Sequence, residues 1–152
     1  MKKVQKWICM GGQYPEGKEA NFYRPDPKST LYCLQNWTKE VIFVGWEAGN
    51  NIMTGGSYLK TRLDSKNPVY RSYELYNNFS GRSSWDQLAV LQLTDISERF
   101  FNFSNYGCCN VASDGSNKWI EDKTGNHRYI ILKPGIEIKE IATFIDNLMI
   151  GL

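Results

Sequence analysis

The sequence predicts an α/β domain that opens with a parallel βαβ unit and passes through a helical middle. It then closes with a β-hairpin and a C-terminal helix. Three observations carry this reading. Residues 4–10 form a mostly apolar run, with Trp7, Ile8, Cys9 and Met10 at its end, and the pair Gly11-Gly12 stops it. Val41-Ile42-Phe43-Val44 is a second, continuous apolar run ended by Gly45, as in a strand covered on both faces. Between them Asp26 caps a helix that has Pro27 at its first position, a strong start signal. Leu31, Leu34 and Trp37 keep one face of that helix apolar.

The remaining elements follow in order. Residues 47–60 are glycine-rich and predict at most a short helix around Asn51. Asn67-Pro68 opens a helix whose Val69, Tyr73, Tyr76 and Phe79 recur at helical spacing, with Gly81 as its stop. Ser84-Trp85-Asp86-Gln87 has the form of a capping box, opening a helix through Leu88 and Leu91. After Ser97 the chain turns β-rich, over residues 100–105, 118–121 and 127–132. The last two predict a hairpin turning at residues 122–126. Pro134-Gly135 breaks the chain, and Ile138, Ile141, Ala142, Ile145, Leu148 and Met149 then mark an amphipathic closing helix.

The 152 residues form one domain by length, enough to bury a sizeable core. A net charge of +2 implies no general attraction to nucleic acid or anionic lipid. No apolar run is long enough to span a membrane. Four cysteines (9, 33, 108 and 109) without a C-x-x-C pair, and a single histidine, argue against a zinc site. Cys9 and Cys33 read as buried thiols and Cys108-Cys109 as reduced and packed, which leans towards a reducing, cytoplasmic setting.

Four residues stand out as candidates. Glu19 and Asn21 follow the first strand, where open α/β sheets bind ligands. A carboxylate acceptor beside an amide donor-acceptor suits vicinal sugar hydroxyls; an ordinary solvated loop has the same composition. Asp86 lies in the first turn of its helix, where the macrodipole alone stabilises a carboxylate; the alternative is a hard-metal ligand or an acid/base group. Trp85 beside it either stacks on a planar ligand or packs in the core. Glu47 ends a buried strand, which is a ligand position or a helix N-terminal acid. His127 reads as a structural or surface residue, since no nucleophile motif requires it.

These motifs together resemble the inosine-uridine-preferring nucleoside hydrolase family. Met10-Gly11-Gly12 resembles its strand end, Glu19-Ala20-Asn21-Phe22 its E-F-N segment, and Asp26-Pro27 its D-P helix start. Asn67-Pro68, Tyr73-Glu74-Leu75-Tyr76, residues 81–86 and His127-Arg128-Tyr129 are similar to later elements of the family, in the same order. The resemblance implies the C-terminal half of that family's open sheet, and cleavage of an N-glycosidic bond by calcium-activated water. On it, Glu19 and Asn21 hold the ribose hydroxyls, Trp85 lies beside the substrate, and Asp86 is a calcium ligand.

Two departures limit what this chain is expected to do. The family's N-terminal D-x-D-x-x-x-D-D cluster, source of most calcium ligands and the general base, has no counterpart here. Trp85 stands where many members carry a proton-donating histidine. The chain alone is therefore expected to bind calcium poorly and to be catalytically silent. A non-catalytic sugar- or nucleoside-binding module is the alternative. The missing half would also leave the first strand with an open edge, so a homo-oligomer or a separate N-terminal chain is the expected partner.

Overall fold

A computed structural model describes residues 3–151. In chain order its elements are β1 (Lys6–Met10), β2 (Glu16–Gly17), α1 (Ala20–Tyr23), α2 (Pro27–Asn36), β3 (Glu40–Val44), α3 (Trp46–Gly49), β4 (Met53–Thr54) and α4 (Ser57–Lys60). There follow α5 (Pro68–Asn77), β5 (Arg82–Ser83), α6 (Trp85–Leu91), a 3₁₀ turn (Asp95–Arg99), β6 (Phe101–Phe103), β7 (Gly107–Val111), β8 (Asn117–Glu121), β9 (His127–Leu132) and α7 (Ile138–Ile150). The main sheet has the order β1–β3–β9–β7–β8–β2, with β6 also on β9. β1–β3 and β3–β9 are parallel and the other pairs antiparallel. This is the expected mixed α/β fold with a parallel start, a hairpin and a closing helix.

β3 lies inside the sheet, and its continuous apolar run is explained by two cores. Alternate residues of a strand face opposite sides. Val41 and Phe43 point into a core with Tyr14, Phe22, Leu34 and Cys109. Ile42 and Val44 point into the other, with Leu88, Leu91, Ile141 and Ile145 of α6 and α7. α2 forms as its caps dictate: the Asp26 carboxylate accepts the N–H groups of Lys28 and Ser29 at 3.1 and 3.3 Å. Trp37 at its end meets Trp7 of β1 edge to face, centroids 5.6 Å apart. Among the described residues β1 pairs on one side only, with β3, so its outer edge is open.

Several elements differ from the sequence reading, each for a local reason. β1 is half-covered rather than buried, with only Cys9 enclosed, because it is the sheet edge. The hairpin is β7–β8, turning through residues 112–116, and not residues 118–132. β9 leaves β8 because the Asn126 carbonyl accepts the Val41 N–H, while its side-chain amide donates to the Trp37 and Lys39 carbonyls. That holds the start of β9 beside the start of β3. α5 ends at Asn78, in the left-handed region at φ 51°, before Gly81 is reached, and Tyr76 faces solvent.

Ser84 does not close a capping box. Its hydroxyl bonds that of Thr54 at 2.8 Å, and Gln87 donates to the Tyr73 hydroxyl, so both side chains serve a buried hydroxyl network. The glycine-rich stretch holds two single-turn helices, α3 and α4, with Asn51 in the turn between α3 and β4. Cys33 is exposed on the outer face of α2, beside the inward-facing Leu34. Among the described residues no helix is long and apolar enough to cross a membrane.

His127 is buried where β9 meets β3 and β7, and its Nδ1 accepts the Cys109 N–H at 3.0 Å. Burial lowers its pKa below the ordinary value. The neutral form is therefore the folded form. The stability it contributes is complete above pH about 6.5 and is lost as pH falls through the lowered folded value. Glu19, Glu47 and Asp146, raised by burial, act in the opposite sense: their contribution is present at low pH and lost as pH rises. We expect His127→Gln, which keeps an acceptor, to lose less stability than wild type on acidification from pH about 7 to 5. Urea midpoints of both proteins at the two pH values test this. Equal acid losses would mean His127 does not titrate in that window.

Candidate functional site

Hydrogen bonds tie Glu19, Asn21 and Trp85 to the segments that follow β1 and β3. β1 ends at Met10, and the Gly11 N–H still bonds the Val44 carbonyl at 3.2 Å. Gly12 then turns the chain at φ +78°, with the Tyr14 and Phe22 rings filling the space where a Cβ would stand. Only glycine accepts both that conformation and that contact. The turn brings the next segment back over the strand end, where α1 begins.

Glu19 and Asn21 do not lie in an irregular loop. Glu19 is the N-cap of α1, and its buried carboxylate accepts the N–H groups of Asn21 and Gly12 at 2.9 and 3.2 Å. Burial pushes the Glu19 carboxyl above the ordinary carboxylate range, opposed by these backbone N–H groups and by Arg24. Asn21 is exposed, and its side-chain amide donates to the Met10 sulfur at 2.8 Å. A buried acceptor thus sits two residues from an exposed amide, over the end of the strand.

Trp85 reaches the same place from the other side of the chain. The Trp46 N–H donates to the Gly12 carbonyl at 2.9 Å, and the Trp85 indole N–H donates to the Trp46 carbonyl at 2.7 Å. A continuous line of hydrogen bonds therefore runs from Glu19 through Gly12 and Trp46 to Trp85. Trp85 packs over Gly49, and the Arg82 guanidinium lies 5.1 Å from its ring. Asp86 follows it in the first turn of α6, exposed. α6 packs against β1, β3 and α3, and its first residue, Trp85, lies against Gly49 of α3.

Asp86 is exposed beside Trp85, and Glu47, exposed just after β3, is a second solvent-facing acid near this corner. Among the described residues no group of three or more His, Cys, Asp or Glu side chains is placed to hold a metal ion. Calcium takes about six to eight oxygens. The described residues show no calcium shell around Asp86.

The sequence reading missed Tyr14 and Trp46, which shape the site. Tyr14 stands in a polar stretch with no periodicity, yet it is buried and stacks on Tyr129 with centroids 4.8 Å apart. Trp46 joins two site segments through its backbone alone, which leaves no trace in residue type. Glu47, noted as a strand-end acid, accepts the Tyr14 N–H at 3.0 Å. No family model matches the chain and no curated protein matches its sequence.

Proposed function

We propose that the chain provides one half of a ribonucleoside site of the nucleoside-hydrolase kind. Glu19 and Asn21 bind the ribose hydroxyls, Trp85 lies beside the base, and Asp86 supplies one oxygen to a calcium ion. The observation that supports this most directly is the hydrogen-bonded line from Glu19 through Gly12 and Trp46 to Trp85. It joins segments that are far apart in sequence at the end of parallel strands, where α/β folds bind ligands.

The remaining metal ligands and the general base come, on this reading, from a second polypeptide: another copy of the chain or a separate N-terminal half. The open edge of β1 is where such a partner adds its strand, since an unpaired edge offers a row of N–H and C=O groups. β1 runs directly into Gly11-Gly12, so a strand laid beside it ends next to the Glu19 carboxylate.

Free-ribose release from purine and pyrimidine nucleosides, with and without calcium, tests the reading together with direct titration of uridine and inosine. The chain alone should bind ribonucleosides without releasing ribose. Asn21→Ala, which removes an exposed amide, should weaken that binding about tenfold, or about 1.4 kcal/mol, and leave folding unchanged. 2′,3′-Dideoxyuridine bound as tightly as uridine would sink the ribose assignment. Calcium-dependent release by the chain alone would show that it completes its own metal site. Asp86→Ala then separates an enzyme, which loses turnover, from a sugar-binding module, which is unaffected.

A further inference from the structure

We propose a second ligand site, on the β9 side of β3, for a small organic cation: an ammonium or amidinium group on a compact apolar body. It goes beyond the ribose reading and does not depend on it. The site is a cavity of about 270 Å³ at the C-terminal ends of the parallel strands β3 and β9, roofed by the start of α7. That volume suits a fragment-sized molecule, just below the usual range for ligand pockets.

The lining joins two polar residues, Glu47 and Asn51, to an apolar wall that includes Ile131, Leu132 and Ile138. Tyr14 and Tyr129, stacked on each other, complete it. No lysine, arginine or histidine is among the lining residues. Among the described residues the ion pairs lie on Glu40, Asp114, Glu74, Glu140 and Glu16 and do not reach Glu47. One Glu47 oxygen holds the Tyr14 N–H, and the other rests against Gly45, whose missing side chain leaves it room.

These groups share a preference. A carboxylate without a cationic partner in a partly apolar pocket gains more from a cation than the same group in water. The apolar wall accepts a hydrocarbon or aromatic body and offers nothing to a second charge. An anion would meet Glu47 with no basic residue to balance it. A free sugar would leave most of its hydroxyls facing isoleucine and leucine. The burial that raises the Glu47 carboxyl above its ordinary range is relieved when a cation binds, so binding and deprotonation support each other.

The test uses benzylamine and its uncharged counterpart benzyl alcohol, titrated into the full chain and followed by protein NMR. Benzylamine should bind with a Kd of about 1 mM, and benzyl alcohol about tenfold more weakly. Shifts should centre on Tyr129 and Ile131 and spare Asn21. Glu47→Gln keeps the volume and an acceptor for Tyr14, and should erase the difference between the probes. Ile138→Ala, at the exposed edge of the apolar wall, should weaken both probes about equally. Wild type alone provides a further reading: benzylamine affinity should fall as pH drops from about 7 to 4, as Glu47 takes up a proton. Equal affinities for the two probes, an affinity independent of pH, or shifts confined to other surfaces would each overturn the proposal.

Discussion

Phe43→Ala is expected to cost about 3–5 kcal/mol of folding stability, the range for truncating a fully buried phenylalanine. Phe43 is 0 % exposed in the middle of β3. Its ring meets Tyr14 at 5.3 Å, His127 at 5.4 Å and Phe22 at 6.3 Å between centroids. Those three neighbours belong to the loop after β1, the start of β9 and α1. The ring therefore supports the strand that carries Gly45 and Glu47 and also the segments that carry Glu19 and Asn21. For a chain of this size each kcal/mol moves the thermal midpoint by about 2–4 °C, so calorimetry should show a fall of at least about 6 °C. The ribonucleoside and benzylamine sites should weaken together in this variant. A loss under about 1 kcal/mol would show that the neighbouring rings close the space and that Phe43 is not the hub described here.

Glu19→Ala should cost about 2–4 kcal/mol, although the residue is charged and sits at a ligand position. The buried carboxylate is the acceptor for two backbone N–H groups, on Gly12 and Asn21. Removing it leaves both donors without a partner and the first turn of α1 without its cap. Glu19→Gln retains a side-chain carbonyl and should cost about half as much. Hydrogen exchange provides the specific reading: the Gly12 and Asn21 amide protons should lose protection in Glu19→Ala and keep most of it in Glu19→Gln. Unchanged exchange at both amides would mean the carboxylate is not their acceptor in solution. The cost also explains why Asn21, and not Glu19, is the cleaner residue for testing ribose binding. Its side chain holds only the Met10 sulfur.

The elements that were legible share one property: their cause is local. Asp26-Pro27 caps α2 through atoms two and three residues away, and Asn67 caps α5 in the same manner. The run Val41–Val44 states its own burial, because only a strand with cores on both faces tolerates four consecutive apolar residues. Ile141, Ala142 and Ile145 likewise announce the inner face of α7. Trp85 and Asp86 fall at a helix start that the sequence signalled, whereas Glu19 and Asn21 read as a loop and the short helix α1 that Glu19 caps was not legible.

Long-range competition decided the rest. Ser84 and Gln87 have the residues of a capping box, but Thr54 and Tyr73 arrive from elsewhere in the chain and take their hydrogen bonds. β9 has the length and turn to fold back on β8, but Asn126 ties it to Trp37 and Lys39 and so to β3. Tyr14 looks like a loop residue until Phe43, Trp119 and Tyr129 surround it. The sequence by itself determined the α/β class, the starts of α2, α5, α6 and α7 and the strand that forms the centre of the core, since caps and apolar periodicity act over a few residues. Only the tertiary structure decided which strands pair, where the polar side chains find partners, and that Trp46 joins Glu19 to Trp85. Those outcomes depend on groups brought together from distant parts of the chain, and no local pattern encodes them.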